Sequence, residues 1–600
     1  MAKFVSERNL KFLLYETLGV ESLTQYPYFQ EHNREILDLI LETALRIGQN
    51  LLQPYLREMD QQPPTLANGA IKVHPMVKEF MVECGEGGWI SANAPLDLGG
   101  QQLPTVITNS CLFIFGAANY SASVYPMLTT GAAHLIESFG SRKLIDEFVP
   151  KMFAGEWQGT MALTEPQAGS ALADVTTQAE PTAGDYYRIR GQKIFISASD
   201  HDGVENIVHL MLARIKGAPP GVRGISLFVV PKLRKDETGA LVPNDVLVAG
   251  IFHKLGYRGA PIAQLSIGEN DDCRGYLVGE PNKGLSYMFQ MMNEARLAVG
   301  IGAVAIASAA YYTALQYAGE RPQGRHLSGK DATAPPVLII EHPDVKRMLL
   351  FQRAVVEGSL SLLLQCSMYA DLVKVTDGAE KEKYSLLLEI LTPMAKTYSS
   401  EMGVLSASQA IQVLGGYGYC DEFPVEQFYR DARIHPIHEG TTGIQGLDLL
   451  GRKLLMKNGA GFNALMDEFG RTIGQAISNS QLAPYAERLQ VASVKLQKVT
   501  SHLVNLASKG DLELFLADAT LYLEMFAIIA VAWQWLSQGL PVVEKLAQDL
   551  PEQEIAFYEG KLHTMKYFFH YELPRIEGIA QRLTESDGLT LKMTKQMFAD

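Results

Sequence analysis

The residues whose types could do chemistry are most concentrated in the stretch ARIHPIHEGTTGIQ, residues 432–445. Glu439 lies at its centre, with His435 and His438 before it and a Gly-Thr-Thr-Gly run after it. A carboxylate in this setting can remove a proton, bind a metal together with the histidines, or cap a helix. Residue types alone leave these three functions open.

The two histidines are a weak metal signal. Zinc hydrolases usually place two ligands one helical turn apart, as in HExxH, with a third ligand downstream. His435 and His438 are three residues apart, but Pro436 disfavours a regular helix between them. No acidic cluster or further histidine is adjacent. We therefore expect no bound metal and keep a metal-dependent hydrolase at His435 and His438 only as an alternative.

Three other stretches could contact a ligand. MALTEPQAGSALAD (161–174) combines hydroxyls with exposed main-chain N–H groups, which can hold phosphate oxygens or ring heteroatoms. KIFISAS (193–199) places Phe195 and Ser197 on the same side of a strand, where an aromatic ring could face a flat cofactor. QVLGGYGY (412–419) lacks the GxGxxG pattern and follows a helical stretch. A turn, a half-buried sheet and a helix end are the respective structural alternatives.

The elements that must position these stretches follow from hydrophobic periodicity. Helical patterns run over residues 6–52 and 75–153, separated by a break at QQPPTLANG. Short apolar or alternating runs then predict antiparallel strands. A long Ala-rich helical pattern begins after residue 284 and predicts a bundle. The hydrophobic pattern of residues 457–483 is looser, and further helical patterns follow this segment. The predicted strands are 185–197, 207–215, 224–231 and 262–268.

The predicted fold class is α+β with several domains, because 600 residues exceed a single hydrophobic core. An N-terminal α-helical domain precedes a small antiparallel β-barrel or sandwich. A C-terminal four-helix bundle and an extra helical domain follow. The predicted ranges are 1–40 for an N-terminal extension, 41–158, 159–280, 281–457 for the bundle, and 470–600 for the C-terminal extension.

Composition excludes several classes of protein. A net charge of -14 without a basic block argues against a nucleic-acid binder. Five scattered cysteines give no disulfide framework and fit a reducing cytoplasm. The N-terminus lacks the apolar run of a signal peptide. The longest strongly apolar stretch, 525–535, is shorter than the ~20 residues of a membrane span, so we expect a buried helix and no transmembrane segment.

Six motifs in order make the chain resemble the acyl-CoA dehydrogenase family over residues 33–457. They are LTEPQAGS (163–170), KIFIS (193–197), KLGYRGAP (254–261), NEAR (293–296), QVLGGYGY (412–419) and HEGTTGIQ (438–445). The first forty residues and the tail from residue 481 resemble the extensions of a large, ~600-residue branch. That branch includes enzymes acting on 3-methylmercaptopropionyl-CoA and other fatty acyl-CoA dehydrogenases.

The resemblance implies an FAD-dependent oxidoreductase of fatty acid β-oxidation that converts an acyl-CoA to its trans-2-enoyl-CoA. Glu439 would remove the α-proton, and flavin N5 would accept the β-hydride. Electrons would pass to electron-transfer flavoprotein. Some relatives carry the base just before the helix arginine, where this chain has Ala295, with Glu294 one step further off. An acyl-CoA oxidase that uses O2 and a non-catalytic helical scaffold stay open as alternatives.

The resemblance also implies site residues. Arg321 and residues 412–416 would reach the FAD of a neighbouring subunit, which implies a homodimer or tetramer, and the tail would favour the dimer. For Arg296, a solvated helix arginine is the alternative. The implied substrate contacts are Ser170, Arg296 and Gly440. The implied FAD contacts are Met161, Leu163, Thr164, Gly169, Ser170, Phe195, Ile196, Ser197, Arg321, Gln412, Gly415, Gly416, Thr441, Thr442 and Gly443.

Some positions depart from the family pattern. Ala171 stands where relatives usually have Asp, and His438 stands where many have Tyr. Ala260 and Ile262 replace the usual residues of an RxSPT motif. We expect His438 to alter acyl specificity or the local pKa. The sequence does not fix the length or branching of the acyl chain.

Overall fold

The computed structural model describes residues 3–326, 328–329 and 333–599, except for the side chains of residues 289–291. The chain forms two compact units, one of residues 35–295 and one of residues 1–34 with 296–600. The predicted helical and β domains lie in the 35–295 unit, which also includes residues 281–295 of the predicted bundle and 35–40 of the predicted N-terminal extension. The rest of the bundle and of both extensions belongs to the other unit. The finer domain boundaries stay predictions.

Helices make up the first part of the 35–295 unit. Ser141 caps one of them, because its side chain accepts a hydrogen bond from the amide of Leu144. The longest is kinked at Asn119, whose φ of -162° and ψ of 97° are not helical. The segments are Arg34–Ile47, Gly48–Leu52, Gln53–Tyr55, Leu56–Gln61, Met76–Glu86, Leu96–Leu98, Thr105–Phe139 and Arg142–Phe153.

A small hairpin occupies the stretch that we interpreted only as a break. Strand Thr65–Ala67 pairs antiparallel with Ala70–Lys72. Asn68 and Gly69 form the two-residue turn with φ of 53° and 77°. Asn-Gly is a strong sequence signal for such a turn, because both central residues need positive φ. The sequence therefore contained the evidence for this hairpin.

An eight-stranded sheet forms the second part of this unit. All four predicted strands are present, and four further sheet strands and a two-stranded hairpin were missed. The prediction of a wholly antiparallel sheet is wrong, because Trp157–Ala162 and Gln178–Pro181 both pair parallel with Asn206–Ile215. The strands are Trp157–Ala162, Gln178–Pro181, Tyr187–Ser197, Asn206–Ile215, Ile225–Pro231, Val246–Ile251, Ile262–Ile267 and Arg274–Val278, with the hairpin Leu233–Lys235 and Leu241–Pro243.

The core of the sheet follows the alternation of apolar side chains along each strand. Strand Ile225–Pro231 is buried along its whole length, so the sheet is covered on both faces there. The core cluster comprises Ala162, Ala179, Ile189, Ile196, Met211, Ala213, Phe228, Val230, Val246, Leu265, Ile267 and Cys273.

The second unit is helical throughout. Residues 457–483, whose hydrophobic pattern is looser, nevertheless contain the helix Ala460–Ala476. Its buried Phe462, Leu465, Phe469 and Ile473 have the helical spacing that could have identified it. The bundle segments are Gly284–Glu320, Pro343–Val375, Gly378–Leu414, Val425–Ala432, Thr442–Asp448 and Leu449–Lys453.

Short helices precede this bundle and longer ones follow it. Among the N-terminal residues that the structure describes, the segments are Glu7–Lys11, Phe12–Thr17, Val20–Gln25 and Pro27–Phe29. Further short turns are Ile339–Glu341, Gly415–Tyr419 and Met456–Gly459. The C-terminal segments are Ala483–Ser508, Leu512–Leu516, Ala519–Leu546, Glu552–Tyr567, Phe568–Glu572, Leu573–Arg575, Ile576–Glu585, Leu589–Lys592 and Lys595–Phe598.

A buried lysine joins both terminal extensions to the bundle. Lys561 Nζ donates to Asn9 Oδ1 at 2.9 Å, to Gln538 Oε1 at 2.6 Å and to Glu357 Oε2 at 2.8 Å. Arg353 donates to the other carboxylate oxygen of Glu357 at 2.8 Å. A buried charge is tolerated only when it is paired and hydrogen-bonded. The N- and C-terminal extensions are therefore parts of one packed body with the bundle.

Three helices in the described part of the chain are long and apolar enough to cross a membrane: Thr105–Phe139, Gly284–Glu320 and Ala519–Leu546. The estimate from sequence that no stretch reaches this length is wrong. In each helix, 83% of the most apolar window is buried inside the protein. The expectation that residues 525–535 form a buried helix is confirmed, because they lie inside Ala519–Leu546 and are buried.

Candidate active site

Glu439 lies on a turn with unusual backbone geometry. Its φ is 52°, and that of the following Gly440 is 87°. Left-handed geometry is strained for a residue with a Cβ, and such strain tends to occur at functional sites. The carboxylate does not cap a helix, because Thr441 is the N-cap of Thr442–Asp448 and accepts from the amide of Ile444. The helix-capping alternative is therefore wrong.

Hydrogen bonds hold this turn, residues 435–441, from both sides. Gln445 Nε2 donates to the carbonyl of Glu439 at 3.0 Å. Lys396 Nζ donates to the carbonyls of His435 at 2.7 Å and of Gly440 at 2.9 Å. A side chain at Gly440 would be strained by the φ of 87°, and its Cβ would have to displace Gln445 Nε2, which lies 2.5 Å from the Cβ position. Neither Lys396 nor Gln445 was singled out from the sequence.

The carboxyl group of Glu439 is accessible to solvent but has many protein atoms around it. Its side chain is solvent-exposed, although many protein atoms surround the turn that carries it. This burial raises the pKa of Glu439 above its ordinary 4.5, while the positive charges of Arg296 and then Lys396 act to lower it. Because burial outweighs the cations, the carboxylate is a stronger base than a glutamate in water.

Arg296 is a buried ion-pair partner. Its side chain is 3% exposed, and its Nη1 lies 2.6 Å from Asp448 Oδ2. The alternative of a solvated helix arginine is therefore wrong. Glu294, two residues earlier, has a carboxylate oxygen 3.1 Å from His134 Nδ1. A direct contact of Arg296 with CoA stays a prediction.

The two histidines of the turn are neutral aromatic neighbours. Their ring centroids are 5.2 Å apart and their planes are perpendicular. Burial lowers the pKa of His435 to about 3 and that of His438 well below its ordinary 6.5. Across the described residues, no group of three or more His, Cys, Asp or Glu side chains could hold a metal ion. The metal-hydrolase alternative therefore gains no support.

In the 35–295 unit, the structure brings two of the predicted ligand stretches together. The amide of Ile194 donates to the carbonyl of Thr164 at 2.9 Å, and Lys193 Nζ donates to that of Leu163 at 3.0 Å. The loop of residues 163–170 therefore lies beside strand Tyr187–Ser197. Met161, Leu163 and Thr164 are half-buried, whereas Gly169 and Ser170 are exposed.

A buried ion pair fixes this loop, and the sequence analysis missed it. Lys193 Nζ lies 2.8 Å from Glu165 Oε1, and both side chains are at most 1% exposed. The Glu165 carboxylate also accepts from Thr176 and Thr177. Burial acts to raise the pKa of Glu165, but the charge of Lys193 and these hydrogen bonds lower it to about 2. The pair explains why two charged residues occupy an otherwise apolar pattern.

Phe195 departs from regular strand geometry. The pairing with strand Ile262–Ile267 shifts between Lys193 and Ile196, and the intervening Phe195 has a φ of 57°. This bulge leaves the Phe195 side chain 57% exposed and the Ile196 side chain buried. The ring of Phe195 lies 4.6 Å, centroid to centroid, from that of Phe252. An exposed aromatic residue on a strained backbone is a further sign of a binding surface.

The remaining predicted residues lie on the helical unit. Arg321 is exposed directly after helix Gly284–Glu320. Gln412 is exposed near the end of Gly378–Leu414, where Gly415 ends the helix with a φ of 61°. Gly416 and Gly443 are exposed, and Thr441 and Thr442 are half-buried. The assignment of each of these residues to FAD or substrate stays a prediction.

Comparison with known families accounts for most of the chain. The acyl-CoA dehydrogenase N-terminal domain matches residues 35–156, the middle domain 160–269 and the C-terminal domain 282–455. The chain belongs to the acyl-CoA dehydrogenase family. A fourth family, described as acetyl-CoA dehydrogenase C-terminal like, matches residues 465–594. The C-terminal extension is therefore a recognised domain.

Similar proteins share this arrangement over nearly their full length. The chain is 37% identical to 3-methylmercaptopropionyl-CoA dehydrogenase of Ruegeria pomeroyi, covering 95% of this chain and 96% of that protein. It is 33% identical to a butyryl-CoA dehydrogenase of Syntrophomonas wolfei, covering 98% of each. An acyl-CoA dehydrogenase from Bacillus anthracis complexed with FAD has the same fold, with a TM-score of 0.75, 20% identity and coverage of 96% and 91%.

These findings confirm the predicted fold class and family. The protein is an oxidoreductase of the acyl-CoA dehydrogenase type. The helical N-terminal region, the central sheet and the helical bundle match the three family domains, and the additional C-terminal region matches the fourth.

The buried pair of Lys193 and Glu165 gives a stability prediction. Lys193→Met leaves a buried carboxylate without its cation, so we expect a loss of about 3–5 kcal/mol. In a unit of this size, each kcal/mol lowers Tm by about 2–4 °C. Calorimetry should show this decrease. Lys216→Met, which removes an exposed partner of Glu180 in the same unit, is the matched control and should change stability by at most ~0.5 kcal/mol. Equal Tm values for the two variants would contradict the role of the buried pair.

Proposed function

We propose that the protein catalyses FAD-dependent α,β-dehydrogenation of an acyl-CoA thioester to the trans-2-enoyl-CoA, with Glu439 as the base that removes the α-proton. The observation that carries this proposal is the state of Glu439. Its carboxylate is accessible, is held on a strained left-handed turn, and has a pKa raised by burial. A structural surface glutamate requires neither the strained turn nor the raised pKa.

The raised pKa matters because an α-proton is weakly acidic. A carboxylate with an ordinary pKa of about 4.5 is a poor base for it. Burial strengthens the base, while the positive charges of Arg296 and then Lys396 act against the rise in its pKa. A well-placed general base of this kind contributes roughly 10²–10⁴ in rate.

The turn also offers hydrogen-bonding groups to a ligand. The amide of Glu439 donates to no protein acceptor within the described residues, so it is free to bind the thioester oxygen. A donor placed there would stabilise the negative charge that develops when the α-proton leaves. His438 Nε2 and Gln445 Oε1 are buried and likewise without a partner among the described residues. Buried polar atoms usually have a partner, so this pattern fits a site completed by its ligand.

Each unit carries predicted FAD contacts whose chemistry suits that cofactor. The 163–170 loop presents backbone amides with Thr164 and Ser170 hydroxyls, and the exposed ring of Phe195 offers a flat apolar surface. Thr441, Thr442 and Gly443 would contact the adenine and pyrophosphate side. When bound, FAD supplies the acceptor for the hydride that leaves the β-carbon. Arg321 and residues 412–416 would contact the FAD of a second subunit in a homodimer or tetramer.

We further infer that the enzyme works in the cytoplasm and passes its electrons to electron-transfer flavoprotein. The family resemblance supports this acceptor over O2. The names of the two relatives place butyryl-CoA and 3-methylmercaptopropionyl-CoA first among substrates to test. Peroxide formed in air at the rate of substrate consumption would identify an oxidase instead.

The role of Glu439 is tested by Glu439→Gln, which keeps the size of the side chain but removes its charge. Under anaerobic conditions, acyl-CoA should bleach the oxidised flavin band of the wild type, and the variant should be at least about 10²–10⁴ slower. Glu294→Gln, on the helix where other relatives carry a base, is the matched control and should bleach normally. If Glu294→Gln is the inactive variant, or if Glu439→Gln bleaches at the wild-type rate, the assignment is wrong.

The pH dependence of the same step follows from the raised pKa. Proton removal needs the carboxylate, so the bleaching rate should be maximal above the pKa of Glu439 and fall as pH decreases through it. We expect this midpoint above 4.5, the ordinary value of glutamate. Stopped-flow reduction between pH 5 and pH 9 measures it, with flavin retention checked at each pH. A rate that falls as pH rises across this range would contradict the assignment of Glu439 as a base.

A further inference from the structure

Lys396 is a buried cation that no motif in the sequence marks as functional. It lies in the middle of helix Gly378–Leu414 and is 0% exposed. Burying an ammonium group is costly unless acceptors surround it. Its two acceptors are the carbonyls of His435 and Gly440. The Lys396 ammonium group is therefore hydrogen-bonded to the turn that carries Glu439.

The two carbonyls lie on opposite sides of Glu439 in the chain. Because Lys396 projects from a long helix, its ammonium group is a fixed point to which both ends of the segment are tied. Glu439 itself has a φ of 52°, which an L-residue adopts only when its surroundings enforce it. Gln445 holds the carbonyl of Glu439 from the other side. The hydrogen bonds from Lys396 are charge-assisted, whereas the one from Gln445 is not. Charge-assisted hydrogen bonds are stronger than neutral ones.

We propose that Lys396 is the positioning residue of the base: its ammonium group clamps the His435 and Gly440 carbonyls and so fixes the left-handed turn that aims the Glu439 carboxylate. This inference rests on the proposed function of Glu439. Lys396 acts through Glu439 and through the backbone, without contacting the substrate.

The clamp has an electrostatic consequence. The charge of Lys396 lowers the pKa of Glu439, and that of Arg296 acts in the same direction. Burial lowers the pKa of Lys396 itself to about 8, while Glu439 and Glu401 act to raise it. Removing Lys396 should therefore move the midpoint of the pH profile to higher pH. The titratable groups that face Glu439 or these cations are Arg296 and Asp448, Lys396 and Glu401, and His435 and His438.

Three variants separate the clamp from general stability. Lys396→Met removes both the charge and the donors at similar length, whereas Lys396→Arg keeps a cation with several donors. Lys561→Met is the matched control, because Lys561 is also buried in this unit but bonds to Asn9, Glu357 and Gln538. Each variant is tested as the full-length flavoprotein, with rates normalised to bound flavin.

Two readouts are needed. The first is anaerobic flavin reduction by butyryl-CoA across pH. Lys396→Met should be about 10²-fold slower, the loss expected when a catalytic group is misplaced by ~1 Å, with its midpoint moved to higher pH. Lys396→Arg should recover part of the rate.

The second readout is hydrogen exchange of residues 435–442. It reports on the amides of Ile437 and His438, which donate to the carbonyl of Ile434, and on the amide of Thr442, which donates to that of Pro436.

The exchange data test the proposal without activity. In the wild type, these three amides should exchange slowly, and Lys396→Met should lose their protection while Lys561→Met keeps it. Fast exchange of this segment in the wild type would overturn the proposal even if Lys396→Met fails to fold. A folded Lys396→Met with wild-type rate, pH profile and protection would also overturn it. If Glu439→Gln retains full turnover, the proposed function fails, and the exchange data still decide whether Lys396 clamps the turn.

Discussion

The proposed role of Glu439 depends on one constraint: a general base must be reachable by a substrate and yet be surrounded by enough protein to have a raised pKa. A glutamate on an open helix face has access but an ordinary pKa, and a glutamate in a sealed core has a raised pKa but no access. The turn of residues 435–441 meets both requirements. It holds the exposed Glu439 side chain on a left-handed backbone, and Lys396 and Gln445 donate hydrogen bonds to the carbonyls of this turn.

Buried lysines tie distant segments together throughout the chain. Lys193 joins the 163–170 loop to strand Tyr187–Ser197, and Lys396 joins helix Gly378–Leu414 to the Glu439 turn. Lys561 joins both terminal extensions to the bundle. Burial lowers the pKa of each of these lysines to about 8. A flexible stem with three donors can connect segments that share no regular secondary structure, and its desolvation makes an incorrect arrangement costly.

Phe195 and Glu439, one in each unit, are two predicted site residues with strained backbone geometry. Each has a positive φ that glycine would adopt without strain. The carbonyls of His435 and Gly440, on either side of Glu439 in the chain, accept hydrogen bonds from the buried Lys396. Lys193, two residues before Phe195, donates instead to the carbonyl of Leu163 and so holds the neighbouring 163–170 loop.

The sequence by itself determined the family, the helix–sheet–helix order and the prominence of Glu439, because motifs and hydrophobic periodicity are local properties of the chain. It also contained signals that went unread, such as Asn68-Gly69 for the hairpin and the helical spacing of Phe462, Leu465 and Phe469. Only the tertiary structure decided that Arg296 pairs with Asp448, that the sheet is mixed, and that Phe195 lies on a bulge. Lys396 shows the reason most clearly, because it is separated from His435 by 39 residues. No local sequence pattern reveals that a buried lysine donates hydrogen bonds to two carbonyls that far along the chain.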